Sequence, residues 1–166
     1  MARFDKSLVA VTSRSFSTNQ FLVKKLKESY PNVSLNLTGK TLKENELVKF
    51  LATAEKAIVG IEIIDKDILD QLPKLKLISK YGVGLNNLDL DECKKRNIQI
   101  KFQPGSNKQS VAEFTLLLML NSLRQVHNNK TEIIEGNWTQ AKGQELKGKK
   151  IGIIGFGNIG SCLVSL

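Results

Sequence analysis

Short apolar runs alternate with helical stretches along the first hundred residues. The run LVAVTS, from Leu8 to Ser13, is typical of a buried strand, and NQFLVKKLKES after it has the spacing of a helix. Further strands are predicted within 33–37, 56–63, 75–80 and 98–102, and further helices within 41–54, 65–72 and 88–97. Short strands separated by helices pair in parallel and carry helices on both faces of the sheet. Residues 1–104 are therefore predicted to form a five-stranded, doubly wound α/β domain.

The helix predicted within 41–54 carries two local signals. Thr41 and Glu44 have the spacing of a capping box, which predicts where the helix begins. Leu47, Phe50 and Leu51 lie on one helical face, and we expect that face to pack on the sheet.

A break follows at Pro104 and Gly105, and after it comes a long helix predicted from Lys108 to His127. This helix is apolar nearly all round, so it is expected to be covered on several sides. Its candidate buried residues are Val111, Phe114, Thr115, Leu118, Met119 and Val126. After a polar stretch, KKIGIIG predicts the first strand of a second α/β unit.

Three glycines at the end of that strand have the spacing G-x-G-x-x-G. Gly155 permits a tight turn, Gly157 lets the backbone approach a pyrophosphate, and Gly160 lets a helix and strand pack closely. The motif follows an apolar strand and precedes a helical stretch, which is the context of a dinucleotide site. A glycine-rich turn without a ligand is the alternative. The acidic residue that would support the site is expected about 20 residues further on, beyond Leu166.

Composition narrows the class of protein. The net charge is +9, but the lysines are spread along the chain and aromatic residues are few, which argues against a nucleic-acid partner. The two cysteines, Cys93 and Cys162, lack metal-ligand spacing, so no metal is predicted. The apolar run from Phe114 to Leu120 is too short to cross a membrane. A cytoplasmic protein without a membrane partner is expected.

Three stretches resemble the D-isomer-specific 2-hydroxyacid dehydrogenases. SKYGVGLNNLDLDECKKRNIQI is similar to the G-x-G-x-x-N-x-D loop of that family and the helix and strand after it. PGSNKQSVAEFTLLLML resembles the family's N-x-x-S-V-A-E helix start. ELKGKKIGIIGFGNIG resembles its entry into the nucleotide-binding domain. The order and spacing of all three agree with the family.

The resemblance implies a domain organisation. Residues 1–104 would be a flavodoxin-like substrate domain, 105–147 a linking helix and connection, and 148–166 the incomplete start of a Rossmann domain. The implied activity is hydride transfer between a nicotinamide, NAD or NADP, and a 2-hydroxy or 2-oxo acid. The family also implies a homodimer for the complete protein.

The resemblance also implies site residues. The backbone around Val83 and Gly84 would hold the substrate carboxylate, and Asn107 would contact the substrate. Lys80 stands where many members of the family carry arginine; it keeps the charge but lacks the planar fork that binds a carboxylate in two places. On the cofactor side, Val111 would pack near the nicotinamide. The implied cofactor-binding residues of the glycine motif are Gly155, Gly157, Asn158, Ile159 and Gly160.

Each of these residues also has a structural interpretation. Gly82 and Gly84 serve equally in a strand-to-helix turn, and Val111 serves equally in a core. Asn107 serves equally as a helix start, since Ser110 and Glu113 have capping-box spacing.

The family takes its catalytic Arg, Glu and His from the C-terminal part of the chain, and no residue here matches them. The single histidine, His127, is expected to be solvated near a helix C-terminus. A lone strand and helix cannot bury their own apolar faces, so Ile151, Ile153, Ile154, Ile159 and Leu163 are expected to remain partly in water. The sequence therefore suggests a truncated dehydrogenase that is inactive alone.

The alternative is a non-catalytic module. It would dimerise through the apolar face of Phe114, Leu117, Leu118 and Met119, or bind a small ligand at the Gly82–Gly84 loop.

Overall fold

The computed structural model describes residues 5–166. The chain divides into two compact units, and the division falls between Pro104 and Gly105. Unit 1 ends at Pro104, and unit 2 runs from Gly105 to Leu166. The roles assigned to these stretches remain predictions.

Unit 1 contains the five-stranded sheet that the apolar runs predict. Its strands are β1 Val9–Val11, β2 Val33–Leu35, β3 Lys56–Val59, β4 Leu77–Lys80 and β5 Gln99–Lys101. All four pairings are parallel, and the strand order is β2-β1-β3-β4-β5. This is the flavodoxin-like doubly wound order, in which the direction of winding reverses between β1 and β3.

Helices connect the strands. They are α1 Arg14–Ser17, α2 Gln20–Ser29, α3 Glu44–Leu51, α4 Lys66–Asp70 and α5 Leu90–Lys95. The side chains of Ser13, Asn19, Asp65 and Asp89 cap α1, α2, α4 and α5 by accepting a hydrogen bond from a first-turn amide. Because β–helix–β connections are right-handed, α2 lies on one face of the sheet and α3, α4 and α5 lie on the other.

The core lies under α3, α4 and α5. Leu47 and Leu51 of α3 are buried, as the helical pattern predicts, and Phe50 packs against the same cluster. Ala57, Val59 and Ile78 cover the sheet side. In contrast, α2 contains no fully buried residue.

Two features of unit 1 differ from the prediction. The four-residue helix α1 is too short to produce a periodic pattern, and the sequence does not predict it. The capping box of Thr41 and Glu44 does not form, because Lys43 occupies the N-cap position and provides no side-chain hydrogen bond. Glu44 is instead the first residue of α3, with a positive φ of 44°.

Unit 2 contains helices α6 Lys108–Arg124, α7 Val126–Ile134 and α8 Asn158–Val164. The prediction of one helix from Lys108 to His127 is wrong at its end, because Gln125 has a left-handed conformation with φ 51°. Phe114, Leu118 and Val126 are 58%, 50% and 52% exposed within this chain, so the expectation that α6 is covered, between domains or subunits, stays a prediction.

The stretch KKIGIIG does not form the predicted strand. A strand needs a partner for its backbone hydrogen bonds, and none of the described residues of unit 2 pairs with it. Ile151, Ile153, Ile154 and Ile159 are exposed and Leu163 is half-buried, so the expectation that these side chains remain partly in water is confirmed.

None of the helices between residues 5 and 166 combines the length and the apolar character that crossing a membrane requires.

Candidate functional site

The carboxyl ends of β1, β3 and β4 meet around a cavity of unit 1. Ser13 follows β1, Gly60 follows β3, and Tyr81 follows β4. All three residues line a cavity of 490 Å³. In open parallel sheets this edge is where ligands bind, at the point where the strand order reverses. The cavity therefore has the position of a ligand site.

The loop after β4 offers unpaired backbone donors. Gly82 has a φ of +145°, a conformation that favours glycine, and it turns the chain out of the strand. The amides of Val83 and Gly84 donate to no atom of residues 5–166. Val83 is half-buried and Gly84 is exposed. Two successive free N–H groups suit a carboxylate.

Lys80 and Asn87 bind this loop to the end of β3. The Lys80 ammonium donates to Asn87 Oδ1 at 2.6 Å and to the carbonyl of Gly60. The Asn87 amide donates to the carbonyl of Glu62 at 2.5 Å and to that of Gly60 at 3.3 Å. Burial lowers the pKa of Lys80, and the negative charge of Glu62 opposes that shift. Two of the three ammonium donors are thus held inside the protein, and one remains.

Glu62 is a carboxylate inside this network. It is 2% exposed. Its Oε2 accepts hydrogen bonds from Thr12 Oγ1 and from the Gly60 amide, both at 2.8 Å. Thr12 and Gly60 follow β1 and β3, so the carboxylate connects the two strand ends on either side of the reversal.

The glycine motif of unit 2 makes a tight turn before α8. Gly155 has a φ of +93°. A Cβ at Gly160 would lie 2.4 Å from the carbonyl oxygen of Gly155, so only glycine fits there. A Cβ at Gly157 would meet nothing within 4 Å. Asn158 and Ile159 begin α8, and no side chain caps their amides. The turn therefore leaves free backbone donors beside open space.

The start of α6 lies against this turn within unit 2. Asn158 packs against Gly105, where an added Cβ would lie 3.0 Å from Asn158 Cγ. Cys162 of α8 donates to Gln109 of α6 at 3.2 Å. Asn107 occupies the N-cap position of α6, but its side chain makes no capping hydrogen bond and is exposed. A capping role for the Asn107 side chain is therefore not observed.

Val111 is half-buried one turn into α6. Ser110 lies at the third position of α6 and does not begin the helix, so the predicted capping box with Glu113 is absent.

His127 is exposed, as expected, but lies at the start of α7 and not at a helix C-terminus. The left-handed Gln125 ends α6 before this residue, so the expected position of His127 near a helix C-terminus is wrong.

Sequence reasoning missed Thr12, Glu62 and Asn87 as members of this hydrogen-bond network. Thr12 and Glu62 are 50 residues apart, so no local pattern connects them. The signal that could have found Glu62 is a lone acidic residue inside the apolar run AIVGIEII. Asn87 is the asparagine of the G-x-G-x-x-N-x-D loop.

Comparison with known proteins assigns the family. Residues 9–157 match the model of the D-isomer specific 2-hydroxyacid dehydrogenase catalytic domain. The chain is 36% identical over 129 residues to a hydroxypyruvate reductase of Thermotoga maritima, an alignment that covers 76% of this chain and 42% of the relative. The chain therefore spans less than half of that relative's length.

Two solved structures have the same fold. The D-lactate dehydrogenase of Aquifex aeolicus, complexed with NAD and lactic acid, is 27% identical; the match has a TM-score of 0.69 and covers 95% of this chain and 47% of that one. The pyruvate reductase of Chlamydomonas reinhardtii is 18% identical; its TM-score is 0.83, with 99% of this chain and 49% of that one covered. The family model matches most of this chain, residues 9–157, and this shows that the chain belongs to the D-isomer specific 2-hydroxyacid dehydrogenase family.

Proposed function

We propose that this chain forms the substrate-binding part and the first cofactor-binding turn of an NAD-dependent 2-hydroxyacid dehydrogenase. The observation that carries the proposal is the pair of free amides at Val83 and Gly84. The Lys80–Asn87 contacts fix the loop that presents them, so little entropy is lost when a carboxylate binds. The Lys80 ammonium adds a positive charge beside this loop, and one of its three N–H groups remains free to donate.

The proposed cofactor residues are those of the glycine turn, with Val111 near the nicotinamide. The open space at Gly157 allows a pyrophosphate to approach the backbone, and the amides of Asn158 and Ile159 are free to donate to it. When bound, the nicotinamide supplies hydride transfer to or from C2 of the acid. The D-lactate dehydrogenase that resembles this chain holds NAD, which supports NAD as the cofactor.

The residues of this chain bind and orient the substrate, and the carboxylate that lines the cavity, Glu62, already accepts hydrogen bonds from Thr12 and the Gly60 amide. The described lining of the cavity includes no histidine. Hydride transfer from a 2-hydroxy acid needs a group that takes the hydroxyl proton. We therefore expect the 166-residue chain alone to bind a 2-hydroxy acid without turning it over.

A cytoplasmic location agrees with the two cysteines, both free thiols.

A test of carboxylate binding uses the chain itself. Backbone amide NMR signals are followed during titration with D-lactate, and lactamide, which lacks the carboxylate, is the control ligand. We expect D-lactate to shift the Val83 and Gly84 signals and lactamide to leave them in place. Val83→Pro removes one donor and should abolish the response, whereas Val83→Ala keeps the donor and the response. Absence of any D-lactate response at these amides would contradict the proposal.

Turnover is tested separately. The pure chain is mixed with NADH and pyruvate, and the NADH absorbance is followed. We expect no loss above background. A rate above background would show that the chain carries a proton-transferring group that the proposal does not include.

The second candidate function is a non-catalytic module that dimerises or binds a small ligand. It is favoured by the exposed apolar face of α6, where Phe114, Leu117 and Leu118 are at least half exposed. Met119, expected on the same face, is half-buried. A stable dimer without affinity for NADH, measured by light scattering and NADH fluorescence, would favour this function over the first.

A further inference from the structure

The side chain of Lys80 lies beside the loop that the proposed function assigns to the substrate carboxylate. Lys80 Cε is 3.5 Å from the position that a Cβ on Gly82 would occupy. Gly82 is bonded to Val83, so Cε lies within about 7 Å of the Val83 amide nitrogen. A carboxylate oxygen bound to that amide would be about 3 Å from it, and C2 of the acid lies two bonds further on. The flexible lysine side chain covers a span of this size.

The Lys80 nitrogen is held by two acceptors, which is the number that a neutral amine can satisfy. Among residues 5–166 it donates to Asn87 Oδ1 at 2.6 Å and to the carbonyl of Gly60. An ammonium has three N–H donors, whereas a neutral amine has two N–H groups and one lone pair. Both hydrogen bonds can therefore remain when the ammonium loses a proton, and the lone pair takes the third position.

The surroundings of Lys80 favour the loss of that proton. Lys80 is half-buried, and the ion pairs formed within residues 5–166 do not include it. Burial lowers the pKa of the Lys80 ammonium, and the charge of Glu62 opposes that shift. In contrast, hydrogen bonds to carboxylates raise the pKa of Lys56 and of Lys66. A lysine whose pKa is lowered by burial is the kind that proteins use as an amine nucleophile.

We propose that Lys80 forms a reversible imine with a 2-oxo acid held at the loop after β4. The ammonium first gives one proton to water, and the amine then attacks C2, so that a C–N bond forms and the carbonyl π electrons move to oxygen. The two remaining amine protons leave with that oxygen as one water molecule, and a C=N bond results. The step consumes no oxidant or reductant, and water reverses it.

The ligand class of this covalent site is the 2-oxo acid alone. A 2-hydroxy acid has no carbonyl group and binds only through its carboxylate. The inference rests on the proposed function, because the amides of Val83 and Gly84 must hold the carboxylate beside the amine. A captured 2-oxo acid occupies this loop until water releases it, so it excludes the 2-hydroxy acid for longer than hydrogen bonds alone would.

The test traps the imine in the 166-residue chain. The chain is incubated with pyruvate and sodium cyanoborohydride, which reduces an imine to a stable secondary amine, and peptide mass spectrometry locates the modified lysines. We expect Lys80 to be modified at least about tenfold faster than Lys76, because an acid held beside the amine raises its effective concentration. Lys76 has an exposed side chain that pairs with Glu55, and it serves as the internal control.

Two further ligands separate capture at the loop from general amine chemistry. Methyl pyruvate keeps the ketone but lacks the carboxylate, so Lys80 should lose its advantage over Lys76. D-lactate keeps the carboxylate but lacks the ketone, so it should form no adduct. Added together with pyruvate, D-lactate should compete for the loop and slow the modification of Lys80.

Three variants test the assignment to Lys80. Lys80→Arg keeps the positive charge but has no nucleophilic amine, so the adduct at this position should disappear. Val83→Pro removes one donor to the carboxylate and should slow the modification of Lys80 about tenfold. Lys76→Arg is the matched control and should leave the rate at Lys80 unchanged. The peptide masses of the unmodified chain decide the question if a variant does not fold.

The outcomes separate the two proposals. If neither pyruvate nor D-lactate shifts the NMR signals of the Val83 and Gly84 amides, the proposed function fails. If these signals shift but Lys80 is modified no faster than Lys76, the imine inference alone is overturned. Equal rates of Lys80 modification by pyruvate and methyl pyruvate would also overturn it, because the carboxylate would then contribute nothing.

Discussion

At the scale of single residues, the hydroxyl of Thr12 is the side-chain group that donates to the buried Glu62 carboxylate among residues 5–166. Thr12 is fully buried, and its Oγ1 donates to Glu62 Oε2 at 2.8 Å. Val replaces Thr with nearly the same shape but without the donor, so Thr12→Val leaves a buried carboxylate with one partner fewer. The unfolding free energy should fall by about 1–3 kcal/mol, measured by urea denaturation.

Thr18→Val is the control for Thr12→Val, because the Thr18 hydroxyl is exposed and donates only to backbone carbonyls of its own helix. It should change stability by less than about 0.5 kcal/mol. Equal effects of the two substitutions would show that the buried Thr12–Glu62 hydrogen bond contributes nothing beyond a surface contact.

At the scale of elements, Arg96 connects α4 to α5. Its guanidinium donates to the Leu69 carbonyl at 3.1 Å, to the Asp70 carboxylate, and to Glu92 Oε2 at 3.3 Å. Hydrogen bonds from Lys66, which has the larger effect, and from Arg96 lower the pKa of Asp70. Hydrogen bonds from Lys95, which has the larger effect, and from Arg96 lower the pKa of Glu92.

The lowered pKa values predict a pH dependence of stability. A carboxyl whose pKa is lower in the folded than in the unfolded chain stabilises the fold above its unfolded value, near pH 4, and loses that effect as the pH falls below it. Arg96→Met should therefore lower Tm at pH 6, and the difference from the unmodified chain should shrink towards pH 3. Thermal unfolding followed by circular dichroism measures both.

Lys27→Met removes a charge from α2 that forms no ion pair with the described residues, and it serves as the control. Its effect on Tm should not depend on pH between 6 and 3. A pH-independent effect of Arg96→Met would contradict the role assigned to the α4–α5 contacts.

The glycine turn before α8 allows a paired test of two functions of glycine. Gly160→Ala places a Cβ 2.4 Å from the Gly155 carbonyl, so we expect it to displace the turn and weaken α8. Gly157→Ala meets no atom within 4 Å, and its φ of −89° is open to alanine. It should leave the amide spectrum of α8 unchanged and block the approach of a pyrophosphate. NMR spectra with and without NADH measure both effects; a normal α8 in Gly160→Ala would contradict the close-packing role.

The local sequence pattern predicts the elements of unit 1 because each strand is a short apolar run that alternates along the chain with a helical stretch carrying polar residues. It fails where structure depends on distant partners. Residues 151–154 have the composition of a strand, but a strand forms only against a neighbour. Glu62 has its partner Thr12 at a distance of 50 residues. The free amides of Val83 and Gly84 belong to a loop that the resemblance identifies and that local periodicity does not.

At the scale of the whole molecule, apolar surface is distributed unevenly. Unit 1 buries its core under α3, α4 and α5, whereas Phe21 of α2 is 66% exposed. In unit 2, Phe114, Leu117 and Leu118 of α6 are 58%, 56% and 50% exposed. Burying such a side chain fully is favourable by about 1.5–3 kcal/mol. A side chain that is half exposed can therefore gain about half of that free energy when a partner covers it.

This surface predicts that the chain associates through α6. A homodimer would cover the same face on both copies, as two-fold symmetry requires. Sedimentation velocity should show a concentration-dependent dimer for the unmodified chain, and a monomer at the same concentrations for the double variant Leu117→Glu, Leu118→Glu, because two charges on the face cannot be buried without partners. Leu37→Glu, at a leucine of unit 1 that is 70% exposed, is the matched control and should leave the dimer intact. A monomeric unmodified chain, or equal loss of the dimer in both variants, would show that α6 is not the associating face.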